Sequence, residues 1–285
     1  MIANGKSRFF RNNRNLLSFD CKGFKLLRFL DNCMKTIKGV NRSLGLSQDN
    51  LLRKLFRIIN YGLELILVRL YHKSSSSFRD TVDLFHSLYY SSPERTWNNT
   101  RWMGRRTMRC PLDLWVYQEI LYEIQPDIVI ETGTNEGGGA HYLASIMDVI
   151  GKGRVIGVDI EELDHRADHT RITYIKGSSI DNDIVAKVSK MIEPDHVVLV
   201  ILDSDHNMPH VLEEMKIYSE FVTRGSYMIV EDSNVNGHPI MPNWGPGPFE
   251  AIQKFFKEND SFEVDKSREK FYLSFNPSGY LKKKD

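Results

Sequence analysis

Two acidic clusters follow apolar runs in this chain. Leu199-Val-Ile-Leu202 leads into Asp203-Ser-Asp205-His206, and Met228-Ile-Val230 leads into Glu231-Asp232-Ser-Asn234. If both runs are strands of an open parallel sheet, residues just beyond their carboxyl ends converge on one crevice. Asp203, Glu231 and Asp232 then lie together. Carboxylates so close raise each other's pKa unless a cation sits among them, and oxygen-only ligation selects a hard ion such as Mg²⁺. Such an ion has a chemical use, because coordination lowers the pKa of an alcohol that is otherwise a poor nucleophile. His206, three residues after Asp203, is the candidate general base, with Asp205 the alternative and His169 and His210 behind them. His165 and His238 are given no role. The competing structural reading makes Asp203 and Asp232 helix N-caps and His206 a loop residue, which leaves acidic ends on two successive strands unexplained.

A second constellation points to a nucleoside. Ile128-Val-Ile-Glu131-Thr-Gly133-Thr134-Asn-Glu-Gly137-Gly138-Gly139 runs from an apolar strand through a glycine-rich turn into a helix, where free amides and close backbone approach suit a ligand. Glu131 at the strand end disfavours a pyrophosphate and suits the cationic aminoacyl end of S-adenosylmethionine. Asp159 ends the next strand, where a carboxylate can accept both ribose hydroxyls. Lys176-Gly-Ser178-Ser179-Ile-Asp181 follows the third strand and offers hydroxyls and amides to the adenine edge. The expected cofactor-binding residues are therefore Glu131, Gly133, Thr134, Gly137, Gly138, Asp159, Ser178, Ser179 and Asp203.

The elements that position these residues alternate. Apolar strands are expected at 127–131, 154–159, 172–175, 197–203 and 227–231, separated by helices at 140–150, 181–191 and 209–221, with helices at 112–124 and 248–259 on either side. This implies a mostly parallel sheet covered on both faces. At the C-terminus, strands at 262–265 and 270–276 are joined by the short charged turn Lys266 to Glu269, and two strands so close in sequence must pair antiparallel. Between residues 234 and 248 lies a Pro/Gly-rich loop of a length that is usually functional. Its Trp244 offers a flat apolar face to a sugar ring, and Trp97, Arg101 and Trp102 could close the pocket from the other side. Core filling is the equal alternative for these tryptophans.

The chain of 285 residues has a formal net charge of +1, but residues 1–80 hold 16 Lys/Arg against 5 Asp/Glu. The first 48 residues read as a basic arm, and residues 51–70 as an amphipathic helix that docks on the catalytic domain or a partner subunit, with membrane-surface contact the alternative. The serine run Ser74 to Ser77 reads as a linker or helix breaker. A helix follows at 79–90, then an irregular aromatic and basic segment at 97–110. Residues 1–90 are taken as a basic helical extension and 91–285 as the catalytic domain. Three scattered cysteines without a CxxC pair fit a reducing cytoplasm. No secretion signal is visible, and no basic stripe marks the catalytic half for nucleic acid.

From about Trp97 to Phe256 the chain resembles the cephalosporin hydroxylase family, whose members are similar to class I methyltransferases and include rhamnosyl O-methyltransferases. The resemblance rests on Pro111-Leu-Asp-Leu114 with Tyr117-Gln-Glu119, Pro126 to Gly133, Gly177-Ser-Ser179, Leu202 to His206 with His210-Val211, Gly225-Ser-Tyr227, and Glu231-Asp232. It implies a Rossmann-like α/β fold with a seven-stranded, mostly parallel sheet and a C-terminal antiparallel hairpin. The metal pattern is similar to that of macrolide sugar O-methyltransferases, which implies magnesium on Asp203, Glu231 and Asp232, with His206 as base. No two-His-one-carboxylate triad of a non-haem oxygenase is evident. The expected activity is metal-dependent methyl transfer from S-adenosylmethionine to a hydroxyl of a sugar or other small molecule, in a homo-oligomer. Alternatives are a nicotinamide-dependent oxidoreductase or hydroxylase, disfavoured by the departure from GxGxxG, and a non-catalytic cofactor-binding module, which need not keep all three acids.

Overall fold

The computed structural model describes residues 75–162 and 165–285. The expected basic arm and the helix at 51–70 lie outside the described residues. The chain divides into two units, Met1–Thr81 and Val82–Asp285, and this boundary falls within the first described helix, α1 (Ser75–Ser91). Of the serine run expected to be a linker or helix breaker, Ser75 to Ser77 are helical and Ser74 lies outside the described residues.

In the second unit, a 3₁₀ turn (Thr96–Asn99) leads to a short antiparallel ribbon, β1 (Arg101–Trp102) and β2 (Arg105–Arg106). Helix α2 (Pro111–Ile124) starts on a proline that gives up no needed amide. There follow β3 (Ile128–Thr132), α3 (Gly138–Ile150), β4 (Arg154–Asp159), β5 (Ile172–Lys176), α4 (Asn182–Ser189), β6 (Val198–Leu202), α5 (Met208–Tyr218), β7 (Tyr227–Val230) and α6 (Pro248–Glu258). The chain ends with β8 (Phe262–Val264) and β9 (Tyr280–Lys283). The seven-stranded sheet has the order β5-β4-β3-β6-β7-β9-β8. Strands β3 to β7 are parallel, and β9 runs antiparallel to both neighbours.

Strands β3 and β6 are buried at every residue, as expected of central strands covered on two sides. Alternation sorts their side chains. Ile128, Ile130, Val200 and Leu202 join one core with Met215, Tyr218 and Phe255. Val129, Leu199, Ile201 and Ile229 join the other with Tyr117, Ile120, Leu143 and Met147 of α2 and α3.

One C-terminal expectation needs correction. The strand antiparallel to β8 is Tyr280–Lys283, not residues 270–276. The charged segment forms a 3₁₀ turn at Lys266–Glu269, and Leu273 and Phe275 pack with Cys110 instead of pairing in the sheet. Tyr280 and Leu281, both fully buried, fill a strand enclosed between β7 and β8 more completely than the Phe-Tyr-Leu-Ser-Phe pattern could. The aromatic alternation of that earlier segment serves a loop cluster.

Candidate active site

Glu131, Asp203 and Glu231 come from three neighbouring strand ends and share one face of the sheet. Glu131 pairs with Ile201 across β3 and β6, and Ile201 with Ile229 across β6 and β7. Asp203 and Glu231 each lie two residues further on, so the strand period points all three side chains toward α2. The residue that meets them is Arg109, just before that helix. Its Nη1 donates to Glu131 Oε1 at 2.9 Å, its Nη2 to Asp203 Oδ2 at 2.8 Å, and its Nε to Glu231 Oε2 at 3.0 Å. Arg109 is 5% exposed. A Cβ on Gly139 would stand 2.1 Å from Arg109 Nη1 and 2.5 Å from Glu131 Oε1, so the third glycine of the turn leaves room for this ion pair.

Sequence reasoning missed Arg109 because nothing periodic marks the segment before Pro111. A usable signal existed: three acids of equal strand parity require an internal cation, and Arg109 is the basic residue adjoining the helix that covers that face. Tyr117 was likewise unassigned. Its hydroxyl donates to Glu231 Oε1 at 2.8 Å and accepts from Asn276 Nδ2 at 2.9 Å. Both oxygens of Glu231 are thus engaged by Arg109 and Tyr117. Burial pushes the Glu231 carboxyl well above the ordinary carboxylate range, against the pull of Arg109.

Asp232 follows with φ +52°, a left-handed turn that sends its side chain away from Glu231 and toward the loop after β6. His206 stands between the two strand ends, with Nε2 3.4 Å from Asp203 Oδ1 and Nδ1 3.3 Å from Asp232 Oδ2. Donor atoms of Asp203, His206 and Asp232 lie within 4.8 Å of one another. Burial alone would lower the His206 pKa, but Asp232 and Asp203 outweigh it and raise it to about 9. Burial also acts upward on Asp203, where Arg109 and His206 outweigh it and hold the carboxyl below its ordinary value. For Asp232 burial prevails over His206, and the pKa rises. The structure therefore brings Asp203, His206 and Asp232 together and sets Glu231 against Arg109. Asp205 is exposed and accepts from Asn207 N at 3.1 Å. His169 pairs with Asp148, and His238 with Glu250.

The residues expected around a nucleoside lie at and after the ends of β3, β4 and β5. Gly133 and Gly137 both adopt φ +77°, and a Cβ on Gly133 would stand 1.9 Å from the Asp203 carbonyl. Gly138 opens α3 beneath the Arg106 carbonyl. Thr134 is buried and its hydroxyl has no hydrogen-bond partner; the same holds for Glu131 Oε2. Asp159 accepts from Asn135 N at 2.7 Å and Glu161 N at 2.8 Å, with Arg166 at 3.3 Å. Ser178 caps the turn before α4 through its carbonyl, which accepts from Asp181 N. Ser179 is buried, its hydroxyl 3.3 Å from His210 Nε2.

The loop after β7 is ordered by its own contacts. Asn236 and His238 both reach Glu250 at the start of α6. Asn234 Nδ2 donates to His86 Nε2 of α1 at 3.0 Å. Trp244, 42% exposed, donates its indole N–H to the His206 carbonyl at 3.3 Å. Trp97 stacks on Tyr90 with ring centroids 4.8 Å apart, Trp102 packs edge-on against Tyr142, and Arg101 is exposed.

The strand order, with the glycine turn after the first central strand and the reversed β9, defines a class I methyltransferase fold. A family model described as Rhamnosyl O-methyltransferase/CmcI matches residues 94–284. The rhamnosyl O-methyltransferase of Mycobacterium leprae (strain TN) is 40% identical over 206 residues, covering 70% of this chain and 89% of the relative. That of Mycobacterium tuberculosis (strain CDC 1551 / Oshkosh) is 42% identical over 205 residues, covering 69% and 82%. Among solved structures, apo CmcI and CmcI with Mg and SAM give TM-scores of 0.53 and 0.52, each at 22% identity and over 66% of this chain, covering 77% and 78% of their own chains. These two structures bear on the fold. The chain belongs to the Rhamnosyl O-methyltransferase/CmcI family.

Proposed function

We propose that the chain is an S-adenosylmethionine-dependent O-methyltransferase that methylates a hydroxyl of a sugar-bearing small molecule with the help of a divalent cation, magnesium by preference. The observation that carries this reading is His206 held between Asp203 and Asp232 at the ends of adjacent strands, beside a third strand end where buried Glu131 keeps one carboxylate oxygen without a partner.

The residues suit the cofactor. The free oxygen of Glu131 fits a cationic aminoacyl group, since a buried acceptor left unpaired is costly. Asp159 already accepts from two amides and faces Arg166. A carboxylate has about four acceptor sites, so taking both ribose hydroxyls requires Arg166 to give way. The acids also suit a hard ion: Asp203 and Asp232 present oxygens to one point, while Glu231 can join them only by leaving Arg109 and Tyr117. Held there, a divalent ion supplies Lewis acidity that lowers the pKa of a coordinated acceptor hydroxyl. His206 holds its proton through its two carboxylate neighbours. Were those carboxylates engaged by a cation, the ring would be free to give up that proton and take one from the acceptor hydroxyl. Methyl transfer itself needs an in-line approach, which fixed positions for donor and acceptor provide.

The relatives are named for rhamnosyl groups, so a rhamnosyl or similar deoxysugar is the acceptor to try first. Trp244, resting on the His206 carbonyl, is placed to stack on such a ring. No described helix is long and apolar enough to cross a membrane. A cytoplasmic location and a homo-oligomer belong to the same reading, with residues 51–70 docking on the catalytic domain or a partner subunit and membrane-surface contact the alternative. The test is incubation with methyl-labelled S-adenosylmethionine and rhamnosylated acceptors, with and without Mg²⁺. Label transferred to the sugar, and lost in excess chelator, is the expected result; equal transfer in chelator would refute the metal-dependent form.

A further inference from the structure

The counter-charge of this site is supplied from within the chain. Arg109 is buried, and its guanidinium contacts carboxylates from three strand ends: Glu131, Asp203 and Glu231. Gly139 is shaped around it, since a Cβ there would overlap both Arg109 and Glu131. Tyr117 joins Arg109 on Oε1 of Glu231. A divalent ion drawing on Asp203 and Glu231 must therefore take acceptors from a resident cation whose charge-assisted bonds are short and well aligned.

We infer that Arg109 is a positioning residue that competes with the metal ion: it holds Glu131, Asp203 and Glu231 in register, keeps Glu231 out of the ligand set until it is displaced, and so makes the metal weakly held and exchangeable. This inference rests on the methyltransferase reading of the same site. The physical reason is that a buried guanidinium and a divalent ion cannot both be fully paired by the same carboxylates. Each gains only what the other gives up. Electrostatic repulsion between the two cations at such short range, in a site largely shielded from water, acts in the same direction.

The test uses Mn²⁺ as the metal probe, with free ion followed by electron paramagnetic resonance, and S-adenosylhomocysteine binding followed by calorimetry. Arg109→Met removes the charge at similar length, and the variant is expected to bind Mn²⁺ at least tenfold more tightly than the wild-type protein. Tyr117→Phe removes one of the two groups that hold Glu231 Oε1, leaving Arg109 Nη2 at 2.9 Å, without changing any charge, and about threefold tighter Mn²⁺ binding is expected. A role that is only structural predicts the opposite, weaker binding of both ligands. Should Arg109→Met fail to fold, Tyr117→Phe decides the matter. Unchanged or weaker Mn²⁺ binding in the folded variants, with S-adenosylhomocysteine still bound, overturns the inference about Arg109 alone. Absence of binding of both probes by the wild-type protein overturns the methyltransferase reading together with it.

Discussion

His206 Nδ1 stands 3.3 Å from Asp232 Oδ2, so one imidazole ties the loop after β6 to the turn after β7. The ring also reaches Asp203, and its pKa of about 9 reflects these two acids prevailing over burial. Replacing His206 by Ala removes the proton acceptor proposed above without touching the glycine turn. Catalytic rate is expected to fall by about 10²–10⁴-fold, the usual range for loss of a general base, while S-adenosylhomocysteine affinity measured by calorimetry stays within a few-fold. Loss of cofactor binding on the same scale as the rate would assign His206 to binding instead.

Asp232→Ala tests the other side of that contact. Loss of metal-assisted stabilisation worth several kcal/mol corresponds to a rate lower by about 10²–10³-fold. The deficit should persist at saturating cofactor and shrink as Mg²⁺ is raised, if the residual ligands still hold the ion. A variant with full activity that chelator does not diminish would remove Asp232 from the metal site.

How far the site was legible in the sequence follows from contact distance along the chain. Asp203 and His206 are three residues apart, and β6 sets their placement locally. That β3, β6 and β7 run parallel followed from apolar runs separated by helices. Arg109 touches Glu231 and Asp203 across sequence separations of 122 and 94 residues, and only the packing of α2 on the sheet brings it there. The position of β9 was also hidden, because the burial of Tyr280 and Leu281 depends on long-range pairing with β7, whereas the alternating 271–275 segment offered a better local pattern.

Gly133 joins the two halves of the site by backbone contact. Its φ of +77° is a left-handed conformation that costs a residue with a Cβ about 1–2 kcal/mol. The added Cβ would also press to 1.9 Å from the Asp203 carbonyl, and such overpacking adds about 1–3 kcal/mol. Gly133→Ala is therefore expected to destabilise the protein by about 3 kcal/mol and to weaken cofactor binding. Thermal denaturation checks it; an unchanged midpoint would show that the turn can shift without cost.

His86 makes an acid-sensitive contact outside the catalytic cluster. Burial lowers its pKa from 6.5 to about 4, and the neutral ring accepts from Asn234 Nδ2 while stacking on Phe275 with centroids 5.5 Å apart. Because the folded-state pKa lies below the unfolded value, the stability tied to neutral His86 is present above about pH 6.5 and is lost as pH falls through about 4. At about 1.4 kcal/mol per pKa unit, the loss by pH 5 amounts to about 2 kcal/mol. His86→Phe keeps the stacking but deletes the acceptor for Asn234, so this variant should be less stable than the wild-type protein at pH 7.5. It should then lose about 2 kcal/mol less on acidification to pH 5, narrowing or reversing the gap. Urea denaturation of both proteins at the two pH values measures the difference. A gap that stays constant would mean that His86 titrates alike in the folded and unfolded chains, and that the loop after β7 is held to α1 by packing rather than by a neutral imidazole.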